Sequence, residues 1–194
     1  MAVESGKTQL GAPLPDLVLR DVDGAEVALQ DLQGGGPLVI VFSANHCPYV
    51  RHVEGLLGSM ADDLSPAGVA FVAIASNDVD TYPDDDAPGM REQAARAGWG
   101  FPYLVDDDQH SAAHAFGAVC TPDFFVYGAD RRLAYRGAFD ASTPKNGEPL
   151  TGDLLRGAID ATLRGESVPE PQRPAMGCGI KWRPGHEPEA VSFS

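Results

Sequence analysis

Three cysteines carry most of the chemistry this chain could perform, and the first is the most pointed. An apolar run over residues 38–42 passes through Ser43, Ala44, Asn45 and His46 into Cys47, Pro48, Tyr49 and Val50. The run predicts a buried strand, and the residues after it predict a helix. Pro48 suits a first helical position, where its missing N–H and fixed φ cost nothing. Cys47 is thereby expected at the N-cap, where free N–H groups and the positive end of the helix dipole stabilise a thiolate. A free cysteine is often only a small core residue, but a strand-to-helix junction is an unusual place for one. His46, next in sequence, could shift the thiol's titration or hydrogen-bond a substrate. Cys120 precedes Thr121 and Pro122. Cys178 lies between Gly177 and Gly179, with Lys181 three residues on, a cation that favours the thiolate. His110 and His114 share an i, i+4 spacing that could hold a metal. They lack a nearby third ligand, so a solvated helix face is the simpler reading. A metal site built from the three cysteines ranks equally low. Asp84, Asp85 and Asp86 read as a solvated loop.

The elements that must position these groups follow from periodicity. Alternating apolar residues around Leu17, Leu19, Val27 and Leu29, split by the turn at Asp23 and Gly24, predict a β-hairpin. After the strand at 38–42, Val53, Leu56, Leu57, Met60 and Leu64 recur at helical spacing across residues 48–64. A second buried strand over 69–75 completes a βαβ unit, whose crossover is right-handed. Short helices are expected at 90–97 and 109–116, the second led by Asp106, Asp107 and Asp108, with a short strand at 101–105. Strands at 123–127 and 133–135 form a closing hairpin. A last helix is capped by Thr151 and buries Leu154, Leu155, Ala158, Ile159 and Leu163. Residues 1–12 look loosely ordered. Residues 13–165 form one domain, and 166–194 a proline-rich tail in which Ile180 and Trp182 could dock onto the body.

Composition narrows the class. The chain has 194 residues, a formal net charge of −14 and three widely spaced cysteines. The acidity argues against nucleic acid and against an anionic membrane surface, both of which attract basic patches. No charged-then-apolar leader is visible and no run approaches the roughly 20 residues needed to span a bilayer. A cytoplasmic location is the expectation, with thiols rather than a secreted disulfide framework.

The order hairpin, βαβ, helices, Thr121-Pro122, hairpin, terminal helix resembles the thioredoxin fold: an α/β class with a central mixed β-sheet flanked by helices, an N-terminal β-hairpin and an extended C-terminal tail. Gly11 to Leu19, followed by Asp23-Gly24 and Leu29 to Leu32, is similar to the opening of peroxiredoxin-like (AhpC/TSA, redoxin) proteins. The motifs at Asn45–Val50, Tyr82–Asp85, Cys120–Phe125 and Gly177–Trp182 look like a narrower peroxiredoxin-like subfamily with a single active-site cysteine, at the first position of Cys-x-x-Cys. The second position here is Val50, so the usual local resolving thiol is missing. Peroxiredoxins carry their peroxide-reactive cysteine at that second position, with Thr or Ser three residues earlier. Here those places hold Val50 and Cys47, so peroxidase activity does not carry over.

The resemblance implies a cis Thr121–Pro122 bond beside Cys47. The Thr121 backbone would be free to pair with a substrate chain, and Pro122 would keep the sulfur accessible. It makes Cys47, Cys120 and Cys178 the expected catalytic residues, and His46, Pro48, Thr121 and Pro122 the expected substrate contacts. It implies no cofactor or metal. The function expected is a thiol–disulfide oxidoreductase of antioxidant type. In it Cys47 attacks and Cys120, Cys178 or an external thiol resolves. A thiol peroxidase working through a Cys47 sulfenic acid and a non-catalytic redox sensor or binding module are the alternatives. The partners implied are a protein or small-molecule disulfide or a hydroperoxide, with a reductant of the thioredoxin or glutathione type. The arrangement leaves room for a homodimer.

Overall fold

The structure, a computed structural model, describes residues 2–6 and 9–188. Its centre is β4 (Leu38–Ser43), every residue of which is buried. Such a continuous apolar strand fits only a sheet covered on both faces. On one side β4 pairs in parallel with β5 (Ala70–Ala75), which pairs in parallel with β6 (Tyr103–Val105). On the other it pairs antiparallel with β8 (Asp123–Tyr127), which pairs with β9 (Leu133–Gly137). The hairpin of β2 (Val18–Asp21) and β3 (Glu26–Ala28) extends the far edge, giving the order β3-β2-β6-β5-β4-β8-β9. The mixed sheet flanked by helices is the fold class expected from the sequence.

Alternation along β4 divides the core. Val39 and Val41 face a layer made by α1 (Pro48–Leu64), α2 (Ala87–Ala97) and α4 (Asp153–Leu163), with Val53, Leu57, Met90, Leu155 and Ile159 buried against them. Leu38, Ile40 and Phe42 face α3 (Ser111–Phe116), with Ala112, Ala113 and Phe116. Ile40 and Phe42 are wholly buried, and each such side chain contributes about 1.5–3 kcal/mol relative to exposure.

Several boundaries differ from the sequence expectation for local reasons. α2 begins at Ala87 because the Asp86 side chain caps it, accepting from the Gly89 N–H at 2.9 Å. α3 begins at Ser111 because His110 adopts a left-handed conformation. As expected, the acids before α3 satisfy its first amides: Asp106 accepts from Ala112 and Ala113, and Asp107 from Ser111. α4 is not capped by Thr151. Gly152 takes that place at φ 67°, where a Cβ would meet Met60 and Phe139, and the Thr151 and Gly152 N–H groups both donate to Asp140. Leu163, expected on the inner face, is 38% exposed.

The chain ends form a second, smaller sheet. β10 (Met176–Gly179) lies between β1 (Ala2–Glu4) and β7 (Cys120–Thr121), antiparallel to both. Ala2–Glu4 lies in a stretch where the sequence suggests no element. No helix among the described residues is long and apolar enough to cross a membrane.

Candidate functional site

Cys47 occupies the N-cap of α1, with extended backbone (φ −73°, ψ 118°) and Pro48 following. The turn is fixed by Arg51, whose N–H donates to the Cys47 carbonyl at 3.0 Å and whose Nε donates to the Asn45 carbonyl at 2.7 Å. Arg96 holds the Asn45 side chain at 2.9 Å. The Cys47 residue is fully buried, and its Sγ–H donates to the Thr121 carbonyl at 3.2 Å. The Thr121–Pro122 bond is cis, as the resemblance implies, and both residues are buried.

Thr121 is also where the tail arrives. In the β10–β7 ladder Cys178 stands opposite Thr121 and Gly179 opposite Cys120. That register sets Cys178 beside Cys47, since the Thr121 it pairs with is the residue whose carbonyl accepts from Cys47 Sγ. The Cys178 thiol is pushed up to about 12, chiefly by burial and then by the neighbouring Cys47, with Lys181 pulling the other way. Cys178 is thus held as a protonated partner. Cys120 is fully buried and its thiol is pushed far up, mostly by burial and then by Asp123. The charges of Cys47 and Cys178 push it in the same direction. All three cysteines are free thiols.

The position of β10 depends on a glycine. A Cβ at Gly177 would lie 1.9 Å from the Thr121 carbonyl oxygen. Beyond the strand, the Ile180 N–H donates to Val119, and Lys181 exchanges bonds with Asn77 and Asp78. Arg183 bridges Asp78, Asp80 and Asp108. Ile180 is buried and Trp182 packs on His110 and His114, so these two residues dock the tail as expected.

The acidic loop after β5 is not simply solvated. Asp85 is 1% exposed and accepts from His46 Nδ1 at 2.6 Å, the His46 N–H at 3.2 Å and Asn77 Nδ2 at 2.7 Å. The His46 ring stacks on Tyr82. Since Asn77 Oδ1 accepts from Lys181 N–H, one polar chain runs from the residue before Cys47 to the segment after Cys178. Asp85 is the site residue that sequence reasoning missed. Three consecutive acids give no periodicity to mark one of them as buried, and its partner stands far away in the sequence.

The remaining expected residues are accounted for. Pro48 is exposed at the start of α1. His52 bonds Ser142 at 2.9 Å and, with Tyr49, Pro122 and Met176, lines a cleft of about 100 Å³. His114 is exposed as expected, but His110 is buried, so the two do not share one solvated face. Both nitrogens of His110 are engaged, by Ser76 and by the Arg183 N–H, and His114 pairs with the His186 carbonyl. Among the described residues no group of three or more His, Cys, Asp or Glu side chains is placed to hold a metal ion.

Comparison with known proteins gives the geometry a context. A sequence model described as the AhpC/TSA family matches residues 10–136. A conserved protein of Geobacillus kaustophilus, titled as uncharacterized, is 46% identical over 95% of this chain and 98% of that one, with a TM-score of 0.91. A hypothetical protein of Sinorhizobium meliloti is 41% identical over 94% and 99%, with a TM-score of 0.90. A secreted Mycobacterium tuberculosis disulfide oxidoreductase, titled as homologous to E. coli DsbE, shares the fold at 22% identity, over 75% of this chain and 96% of that one, with a TM-score of 0.58. No curated protein matches the sequence.

Proposed function

The chain belongs to the AhpC/TSA family, and from that premise we propose that it is a thiol–disulfide oxidoreductase whose redox centre is the pair Cys47 and Cys178. The observation that carries this reading is the register of β10 on β7, which pairs Cys178 with Thr121, the residue whose carbonyl accepts from the Cys47 Sγ–H. Cys47 stands at the N-cap of α1, and the thiolate is the attacking form in such an exchange. As thiolate it attacks one sulfur of a substrate disulfide and expels the other as a thiolate. Cys178 then gives up its proton, attacks Cys47 Sγ and releases the second substrate thiol. The substrate gains two electrons, and an external thiol reductant returns the pair to thiols. Cys120 is assigned no exchange step, because it is fully buried and its thiol is pushed far up.

Mild oxidation followed by non-reducing peptide mapping tests this. The expected product is a Cys47–Cys178 link that Cys178→Ser abolishes. Cys47→Ser should remove all reduction of a model disulfide. A Cys47–Cys120 link, or full activity in Cys47→Ser, overturns the reading.

A second reading is favoured by the complete burial of Cys47, which suits a very small oxidant. In it a hydroperoxide converts Cys47 to a sulfenic acid and Cys178 condenses with it, releasing water. Stoichiometric hydrogen peroxide should then yield the same Cys47–Cys178 link. Thiols left intact by that treatment exclude it.

A further inference from the structure

Cys47 reacts beside β7, and β7 is the backbone edge on which an extended polypeptide could add hydrogen bonds next to that sulfur. In this structure β10 already holds the edge. Cys178 and Gly179 pair with Thr121 and Cys120, and β1 covers the outer side of β10 through Ala2, Val3 and Glu4. The fit leaves no room for exchange. With the Gly177 Cβ position 1.9 Å from the Thr121 oxygen, a second strand bearing a side chain there cannot take the same seat. Nor is β10 a loose flap. Its approach is tied where the Ser5 N–H donates to the Ala175 carbonyl, and where the Ala138 N–H donates to the Arg173 carbonyl. Its exit is tied at Ile180, Lys181 and Arg183. Beneath it Cys47 has no exposed surface.

We propose that β10 is a resident strand that reserves Cys47 for low-molecular-weight oxidants, a small disulfide or a hydroperoxide, and turns polypeptide disulfides away. The proposal rests on Cys47 being the reacting sulfur, as in the function above, and chooses among the substrates which that function leaves open. Both oxidants balance with the same pair of thiols. A small disulfide RSSR is reduced to two RSH while the two thiols become one disulfide. A hydroperoxide ROOH loses its O–O bond to give ROH and a Cys47 sulfenic acid, and condensation with Cys178 releases water. In each case two electrons leave the cysteine pair and both thiol protons end on the products.

The test uses the full chain carrying Cys120→Ser and Cys178→Ser, so that Cys47 is the only thiol. Two reagents with the same leaving group are compared: the 2-thiopyridyl mixed disulfide of mercaptoethanol, and that of a cysteine-containing hexapeptide. Thiopyridone release and intact mass report modification of Cys47. The small reagent should react at least about thirtyfold faster, after correction for each reagent's rate with a free small thiol, because the peptide must wait for β10 to open. Adding Gly177→Ala, or in a separate variant deleting residues 2–6, should cut that ratio at least about tenfold by loosening β10. Circular dichroism confirms that each variant is folded. Hydrogen peroxide, read as sulfenate at Cys47, identifies which small oxidant is accepted. Equal corrected rates for the two reagents overturn the proposal. So does a ratio unchanged in both loosened variants, or a Cys47 inert to the small disulfide and to peroxide alike. Failure of the Cys47–Cys178 link to form in wild type, by contrast, strikes the oxidoreductase mechanism and leaves this size comparison readable.

Discussion

Asp85 is itself buried, and both its oxygens are engaged. Replacing this residue by alanine would leave the His46 N–H and the Asn77 amide without their partner, and unsatisfied buried groups cost about 1–3 kcal/mol. Urea unfolding of Asp85→Ala should therefore show a loss of about 2 kcal/mol; no measurable change would mean that the network contributes nothing to the fold. Gly177 gives a second prediction. Any Cβ there collides with backbone rather than with a flexible side-chain tip, so Gly177→Ala should lower stability by about 1–3 kcal/mol, the usual cost of overpacking. Thermal melts of the reduced protein would check it. The two positions also mark what the sequence discloses at this scale. Cys47 and Pro48 could be read because a cap needs only its neighbours to be recognised. Asp85 and Gly177 could not, because each is defined by a contact with a residue far away in the chain.

Among the elements, α1 starts without an acid, whereas α2 and α4 owe their starts to acids that sequence spacing did not single out. Asp86 caps α2 through a single bond to Gly89. Asp86→Ala should cost about 1 kcal/mol, seen as a lower urea midpoint with an unchanged slope. The start of α4 is held from outside the helix. Asp140 receives the N–H groups of Thr151 and Gly152 as well as both donors of Ser142. Burial alone would raise its pKa, but those bonds win and hold it below the ordinary carboxylate value. A nearby Thr151 made the wrong cap plausible, since sequence spacing cannot show an acid reaching in from eleven residues upstream. The strands were easier. β4, β5 and β8 are continuous apolar runs whose burial follows from composition, whereas β1 and β10 contain too little apolar alternation to be found without their partners.

For the molecule as a whole, the two hairpins, the βαβ unit and the mixed sheet flanked by helices were readable from the run of strands and helices, while the strand order and the cover that β1 and β10 lay over the site were not. One global consequence is a pH dependence. Asp123 is sealed beside Arg136, and burial lifts its pKa to about 6 against the opposing pull of the guanidinium. Between the ordinary value of 3.8 and about 6 the folded chain therefore holds more protons than the unfolded one. Stability contributed by this group falls as pH rises through that window. The stability of wild type minus that of Asp123→Asn should shrink from pH 4 to pH 6, by about 1–3 kcal/mol. A constant difference would show that Asp123 ionises normally. A Cys47–Cys178 link would also stabilise the whole chain, by about 4–5 kcal/mol in the chain-entropy account of so long a loop. Differential scanning calorimetry of oxidised against reduced protein measures that gain. The small sheet has a further consequence during synthesis. A ribosome that has released residues as far as α4 has delivered every strand of the central sheet, yet neither Cys178 nor the cover over Cys47 exists. β1, made before the central sheet, waits for β10 before it can pair. A nascent chain thus carries Cys47 uncovered until translation has passed β10.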